Sequence, residues 1–218
     1  MKRNLFLQVI IGCLAIFLAK VCRAEFLSTQ EALFFAESKG KELITMFQEP
    51  DVEKRFEELD KLFLTYIDVD YISSFVAGRY WRKMTPEQKQ KYKDLFVRYG
   101  LAFYKMLPFD AVQNVEYEIK GAEIDGNFTT VAANVKIGTG KNVDEKQDIT
   151  LIFRLHKVNG AVKAVDVKVA ESSLLLSYRS KFSEMIAQSD GEIDWFLEDF
   201  EDLVKSLERN LPQKAALN

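Results

Sequence analysis

The feature that most constrains the fold is a change in the spacing of apolar residues near residue 110. Before it, apolar side chains recur every three or four residues, as on one face of a helix. After it, apolar residues alternate with polar or small residues in four segments, so that the apolar ones lie on one side of each segment. These apolar residues are Val115, Tyr117 and Ile119; Val131, Ala133, Val135 and Ile137; Ile149, Leu151, Phe153 and Leu155; and Val165, Val167 and Val169. Four such segments joined by turn sequences predict an antiparallel meander with one apolar face.

Helical spacing predicts helices before and after these strands in the chain. These helices are the available cover for the apolar face of the sheet. The predicted ranges are 28–48, 52–64, 69–77 and 86–107 before the strands and 174–188 and 192–209 after them. Ser28 with Glu31 and Thr85 with Gln88 have the pattern of capping boxes. The expected fold is therefore a single α+β domain in which helices wrap a curved four-stranded antiparallel sheet, as in cystatin and nuclear-transport-factor-2 folds.

The N-terminus has the features of an export signal. Lys2 and Arg3 precede an apolar run at 5–19, and Cys22 and Ala24 supply small residues for a cleavage site. A membrane-spanning helix needs about 20 apolar residues, and this run is shorter. The sequence predicts a cleaved Sec signal peptide at 1–24, a domain at 25–212 and a flexible tail at 213–218, with an uncleaved N-terminal anchor as the alternative.

Removal of residues 1–24 changes both the cysteine content and the charge. Cys13 and Cys22 are the two cysteines of the chain, so the mature protein would have no disulfide, thiolate nucleophile or cysteine metal site. The segment also has four of the 30 basic residues and none of the 33 acidic residues, which leaves a net charge of −7. Such an acidic protein is a poor candidate for nucleic-acid binding.

The sequence offers few catalytic groups. His156 is the one histidine, and its place in a strand opposite the apolar set predicts a surface residue. We find neither a glycine-rich phosphate loop nor a G-x-S-x-G nucleophile motif. We therefore expect no enzyme activity, metal or cofactor. The acidic residues of 192–202 are interpreted as a solvated helix face, with a docking patch for a basic partner as the alternative.

Two motifs resemble those of the MlaC family, the periplasmic phospholipid-binding proteins once labelled toluene-tolerance proteins. The first is Gly78-Arg79-Tyr80-Trp81-Arg82, followed by Thr85, Glu87, Gln88, Phe96 and Tyr104. The second is Asp166-Val167-Lys168-Val169, followed by Ser173-Leu174, Tyr178-Arg179-Ser180 and Phe182. The chain departs from the second motif where Ala170 and Glu171 replace Glu-Gly and Lys181 replaces Gln. Glu171 in place of glycine is expected to alter the turn before the following helix.

The resemblance implies a function in the Mla pathway, which maintains outer-membrane lipid asymmetry in Gram-negative bacteria. Such a protein is a soluble periplasmic carrier with bound phospholipid as cargo and no cofactor. Its partners are an outer-membrane lipoprotein–porin complex and an inner-membrane ABC transporter complex. We also expect the protein to be a monomer.

The lipid-binding candidates are the apolar residues expected to face one another between sheet and helices. The sheet candidates are Val131, Ala133, Val135, Leu151, Phe153, Val167 and Val169, and the helix candidates are Phe96, Tyr99, Phe103, Leu175, Tyr178, Phe182 and Ile186. Ala133 is small among larger neighbours, which would leave space. Arg179 is expected either to pair with Asp166 and join helix to sheet, or to lie near the lipid phosphate.

Two other functions are compatible with the same fold. A small enzyme of the ketosteroid-isomerase type would need a buried carboxylate among the inward strand residues, and the sequence has none there. A protein-binding module would have a solid core, so removal of lipid would not change its stability.

Overall fold

The computed structural model describes residues 26–106, 112–139 and 146–212. Within these ranges the chain forms six α-helices, one short 3₁₀ helix and a five-stranded antiparallel sheet. This architecture confirms the predicted single α+β domain. The predicted signal peptide at 1–24 and the tail at 213–218 lie outside the described residues.

The helices begin and end close to their predicted bounds. They are α1 Thr29–Phe47, α2 Val52–Tyr66, α3 Val69–Ala77, the 3₁₀ helix Gly78–Arg82, α4 Pro86–Lys105, α5 Leu174–Gln188 and α6 Ile193–Arg209. Both predicted capping boxes are confirmed: Ser28 and Glu31 exchange hydrogen bonds before α1, and Thr85 and Gln88 do so before α4. The 3₁₀ helix was not predicted. It begins at Gly78, whose φ of +57° ends α3 in a conformation that glycine adopts readily.

The strands pair in chain order. They are β1 Val112–Asp125, β2 Phe128–Thr139, β3 Lys146–Val158, β4 Ala161–Val169 and β5 Ser172–Ser173. Val131 lies opposite Phe153, which lies opposite Val167, so the alternating apolar residues share one face as predicted. Register shifts in β1 and β4 are local irregularities of the kind that bend a sheet.

The fifth strand was not predicted, and its cause is the turn that follows β4. Ala170 and Glu171 have φ values of +46° and +70°, which folds Ser172 and Ser173 back onto the end of β4. Glu171 therefore adopts the left-handed conformation for which the family motif has glycine. The next helix, α5, begins directly after Ser173, whose hydroxyl accepts from the Leu176 N–H.

The buried residues form two main clusters. One lies entirely among the helices and includes Val76, Tyr92, Phe96, Phe182, Phe196 and Phe200. The other lies between α1 and the sheet and consists of Leu27, Ala32, Val131, Leu155 and Ala164. Helices α2, α3 and α5 all contact β4, whereas α1 packs against β1 and β2.

A group of polar contacts, here called the latch, joins the α2–α3 connection to the sheet. Ile67 forms a parallel bridge with Ala164, and the Asp68 N–H donates to the Ala164 carbonyl at 3.0 Å. The Asp68 carboxylate also lies 2.7 Å from His156 Nε2, and Lys163 donates to the carbonyl of Thr65. His156 is therefore not the surface residue that the sequence predicted. It is half-buried because the start of α3 covers it.

Candidate functional site

An apolar cavity of about 70 Å³, here called the inner cavity, lies between β4 and helices α2, α3, α4 and α5. Aliphatic and aromatic side chains form most of its wall. The lining residues are Phe63, Ile67, Ile72, Phe96, Tyr99, Gly100, Tyr104, Ala164, Val165, Asp166, Val167, Leu174, Leu175 and Tyr178. A wall of this kind suits an apolar ligand and offers little to a charged one.

Gly100 allows α2 and α4 to approach each other at the inner cavity. A Cβ atom at this position would lie 2.7 Å from the ring of Phe63, closer than any unstrained contact. The absence of a side chain lets Phe63 enter the cavity wall, where its ring centroid lies 5.6 Å from that of Tyr104. A helical glycine costs some stability relative to alanine, and here that cost is offset by close packing.

The two family motifs meet where Arg179 contacts α3 and Gly78. The guanidinium carbon of Arg179 lies 4.7 Å from the centroid of the Phe75 ring, a cation–π distance. Its Nη2 atom would lie 3.4 Å from a Cβ at Gly78, so glycine leaves room for the guanidinium. In the described residues Arg179 forms no ion pair with Asp166, which was one of its two predicted roles. It joins α5 to α3 rather than to the sheet.

Contrary to the expectation that no strand carboxylate faces inward, Asp166 lies in the wall of the inner cavity, where it is the one carboxylate and both of its oxygens are engaged. Oδ2 accepts a 2.7 Å hydrogen bond from the Ser173 hydroxyl, and Oδ1 accepts from the Leu175 N–H at 2.9 Å. These contacts satisfy groups at the start of α5, where a negative charge also interacts favourably with the helix dipole. The carboxylate therefore positions α5 against β4.

Replacing Asp166 with alanine is expected to lower the free energy of unfolding by about 2 kcal/mol, since two hydrogen bonds to a charged acceptor are lost. Urea unfolding followed by far-UV circular dichroism measures the change. Asp148→Ala, which removes an exposed carboxylate from β3, is the matched control and should have little effect. Equal stabilities for the two variants would contradict the assigned role of Asp166.

A second depression of about 280 Å³, here called the outer groove, opens at the surface between α4, α5 and α6. Its lining residues are Tyr99, Phe103, Met106, Lys181, Leu203 and Leu207. Tyr99 also lines the inner cavity, so its ring separates the two spaces. It contacts the rings of Phe103 and Tyr178 at centroid distances of 6.4 and 6.2 Å. Burial, with a smaller effect of Tyr99 and Tyr104, raises the pKa of Tyr178, which keeps its hydroxyl protonated.

The structure distributes the predicted site residues over several places. Five line the inner cavity, namely Phe96, Tyr99, Val167, Leu175 and Tyr178. Phe103 lines the outer groove, whereas Phe182 and Ile186 are fully buried in the helical cluster. Val131 and Phe153 pack in the cluster beneath α1. The remaining four border neither cavity and lie on the same face of the sheet: Ala133, Val135, Leu151 and Val169. The full set remains a prediction.

Several cavity residues were not among the predicted site residues. Phe63, Ile67 and Ile72 come from α2, α3 and their connection, where an apolar helical stripe cannot be told from ordinary core. Tyr104 lies in the wall as well, and its place in the first family motif was the signal that could have identified it. No sequence signal pointed to Ala164, which enters the wall beside the register shift in β4.

The described ranges have neither a membrane-spanning helix nor a metal-binding cluster. None of their helices combines the length and the apolar character needed to cross a bilayer. Nor do they contain a group of three or more histidine, cysteine, aspartate and glutamate residues placed to hold a metal ion.

The MlaC protein family model matches residues 41–208, more than three quarters of the chain. The chain belongs to the MlaC family. Both MlaC-like motifs fall within the matched range, so the resemblance carried by those residues is confirmed. The family match extends from within α1 to the last turn of α6 and includes every residue that lines the inner cavity or the outer groove.

Comparison with individual proteins agrees with membership of the MlaC family. The toluene tolerance protein ttg2D of Pseudomonas putida is 23% identical over 140 residues, which are 64% of this chain and 62% of that protein. The match thus spans somewhat over three fifths of that relative. A phospholipid-binding protein from Ralstonia solanacearum, solved in complex with a phospholipid, superimposes with a TM-score of 0.64 at 20% identity. The superposition covers 84% of this chain and 99% of that chain, which shows the common fold.

Proposed function

We propose that this protein is a periplasmic phospholipid carrier that holds acyl chains between its sheet and its helices. The observation that carries the proposal is the inner cavity, an apolar space in an MlaC-family chain that is bordered by residues of both family motifs. Phe96 and Tyr104 belong to the first motif, and Val167, Leu174 and Tyr178 belong to the second. The structural neighbour from Ralstonia solanacearum, which holds a phospholipid, supports the same assignment.

The size of the inner cavity implies that its walls separate when lipid enters. Its volume of about 70 Å³ is far below the roughly 300–1,000 Å³ of pockets that hold a small organic ligand. Phospholipid acyl chains need at least as much room. We therefore infer that loading widens the inner cavity, with β4 moving away from the helices.

The latch is the set of contacts that such a movement would break. Beside the inner cavity it consists of a short β-bridge, two hydrogen bonds and the contact between His156 and Asp68. Individual hydrogen bonds contribute about 1 kcal/mol net. Breaking a few of them is a small cost compared with the apolar burial that an acyl chain gains.

The energetics of transfer explain why such a carrier needs partners. Each methylene kept from water is worth about 0.8 kcal/mol, so the carrier must cover the acyl chains completely. A membrane covers them equally well, so transfer between membrane and carrier is nearly balanced. We propose that direction is set by the outer-membrane lipoprotein–porin complex and the inner-membrane ABC transporter complex of the Mla pathway. The protein itself acts without catalytic group or cofactor, with phospholipid as cargo.

The location follows from the same proposal. A carrier between two membranes must work in the periplasm, and the basic start and apolar run of residues 1–24 fit a Sec signal peptide. The residues from 25 onward then form the working protein, which we expect to be monomeric so that the binding site can reach each partner.

The test is native mass spectrometry of the purified mature protein, combined with thin-layer chromatography of an organic extract. We expect a co-purifying phospholipid, which the extract identifies. After delipidation, incubation with phospholipid vesicles should restore the bound mass. The Phe34→Ala variant, which alters an exposed side chain of α1 outside both cavities, should bind lipid normally.

A protein that is isolated without lipid and takes none from vesicles would contradict the carrier function. Its stability would then separate the remaining possibilities, since a solid-core binding module is as stable without lipid as before extraction. An emptied lipid site would instead lower the unfolding temperature after delipidation.

A further inference from the structure

The outer groove adjoins the inner cavity and opens to solvent. Tyr99 lines both spaces, so the outer groove is a surface opening that directly neighbours the inner cavity. Phe103 and Met106 form part of the rim and are 39% and 42% exposed. A phospholipid headgroup is strongly hydrated and stays at the open end of such a site. We therefore expect the headgroup to contact the residues of the outer groove.

Lys181 supplies the one charged side chain of the outer groove. Its ammonium donates a 2.8 Å hydrogen bond to the Tyr99 hydroxyl and lies 5.3 Å from the centroid of the Tyr99 ring. Since that hydroxyl accepts from Lys181, its own proton remains available to an acceptor. Tyr99 is only 4% exposed, so Lys181, held by Tyr99, is the donor that the outer groove offers to an anionic oxygen.

The charge of Lys181 is not compensated by a carboxylate in the part of the chain that the structure describes. Two cations of α4 are compensated, by contrast: Arg98 pairs with Glu208 at 2.7 Å, and Lys105 pairs with Asp60 at 2.6 Å. None of the ion pairs among the described residues involves Lys181. Lys181 is exposed, so its ammonium is accessible to a negatively charged ligand at the mouth of the groove.

We propose that Lys181 makes this carrier select phospholipids whose headgroup has a net negative charge. The inference rests on the proposed carrier function and adds the substrate class. In phosphatidylglycerol the phosphodiester is the only charged group, so the ammonium of Lys181 neutralises it. In phosphatidylcholine the phosphodiester already has its own cation, which competes with Lys181 for the phosphate and brings a second positive charge to the site.

The experiment is a competition for the delipidated mature protein. Vesicles contain equal amounts of phosphatidylglycerol and phosphatidylcholine with the same acyl chains, and the lipid taken up is extracted and quantified by mass spectrometry. We expect phosphatidylglycerol to be enriched about tenfold in the wild type, as charge-assisted contacts to phosphate are among the stronger polar contacts. In Lys181→Gln, which has the residue typical of the family motif, the ratio should fall towards one. Lys181→Arg should keep the preference.

Lys41→Gln is the matched control, because it removes the same charge from an exposed position on α1 outside both cavities. It should retain the wild-type ratio. An equal fall in Lys41→Gln would mean that overall charge, not Lys181, sets the preference, and it would overturn the proposal. An unchanged ratio in Lys181→Gln would do the same. Uptake of both lipids by the wild type without preference overturns the selectivity alone, whereas uptake of neither lipid overturns the carrier function as well.

Discussion

Replacing Phe182 with alanine is expected to lower the free energy of unfolding by about 4 kcal/mol. Phe182 lies on α5 and is fully buried at the centre of the helical cluster. Its ring centroid lies 5.1 Å from that of Phe200, 5.5 Å from that of Phe96 and 5.7 Å from that of Tyr99. Truncation leaves a cavity surrounded by aromatic rings of α4 and α6. These rings are rigid and cannot move into the empty space.

Guanidinium unfolding followed by far-UV circular dichroism measures this loss of stability. Phe34→Ala is the control with the same chemical change, since Phe34 is 75% exposed on α1. It should alter the free energy of unfolding by less than about 0.5 kcal/mol. The sequence predicted that Phe182 lines the lipid pocket, whereas the structure places it in the helical core. The two locations predict different results for the alanine variant. A Phe182→Ala protein of normal stability that binds lipid poorly would favour the pocket assignment over the core.

A disulfide between positions 67 and 164 is expected to abolish lipid uptake. Ile67 and Ala164 face each other across the β-bridge of the latch, and both line the inner cavity. Residues paired in this way have Cα atoms about 5 Å apart, within the range that a disulfide can span. The bond would hold the α2–α3 connection against β4. Because a cavity of about 70 Å³ cannot admit acyl chains, a protein locked in this form should not load.

The experiment uses the double variant Ile67→Cys and Ala164→Cys in the mature chain, which has no other cysteine if residues 1–24 are removed. The delipidated protein is oxidised, and the loss of free thiols is confirmed by mass spectrometry. Uptake of phospholipid from vesicles is then measured before and after addition of a reductant. We expect uptake only in the reduced protein, to the level of each single-cysteine variant.

Normal uptake by the fully oxidised protein would mean that the inner cavity widens without separation of the latch. The opening would then have to lie between β4 and α5 or between α4 and α5. The single-cysteine variants show whether the side-chain changes in the wall affect binding by themselves, since they alter the cavity without joining its two sides.

The helices and strands could be predicted because each depends on residues close together in the chain. The capping boxes at Ser28 and Thr85 mark the starts of α1 and α4, and Leu174 to Gln188 is helical as its apolar spacing indicated. Strand alternation likewise placed Val131, Phe153 and Val167 on one face. Local hydrogen bonding and periodic burial depend on residues a few positions apart, so these features can be predicted without knowing the rest of the fold.

The location of the cavity could not be predicted in the same way. Apolar spacing identifies which side chains leave water but not which neighbours they meet, so Phe182 and Tyr178 looked equivalent in the sequence. The structure buries the first among rings of α4 and α6 and places the second beside a cavity. Of the two predicted roles of Arg179, pairing with Asp166 is not seen, since the guanidinium lies over the Phe75 ring and both Asp166 oxygens accept from the start of α5.

The sequence by itself determined the α+β class, the bounds of most elements, the apolar face of the sheet and membership of the MlaC family, because these follow from short-range patterns and motifs. Only the tertiary structure decided that Phe63 enters the cavity wall beside Gly100, that Asp68 holds His156 and that Lys181 lies across Tyr99. Each of these contacts joins residues more than 30 positions apart in the chain. Such contacts depend on how whole helices and strands pack, which is a property of the complete fold and of no single segment.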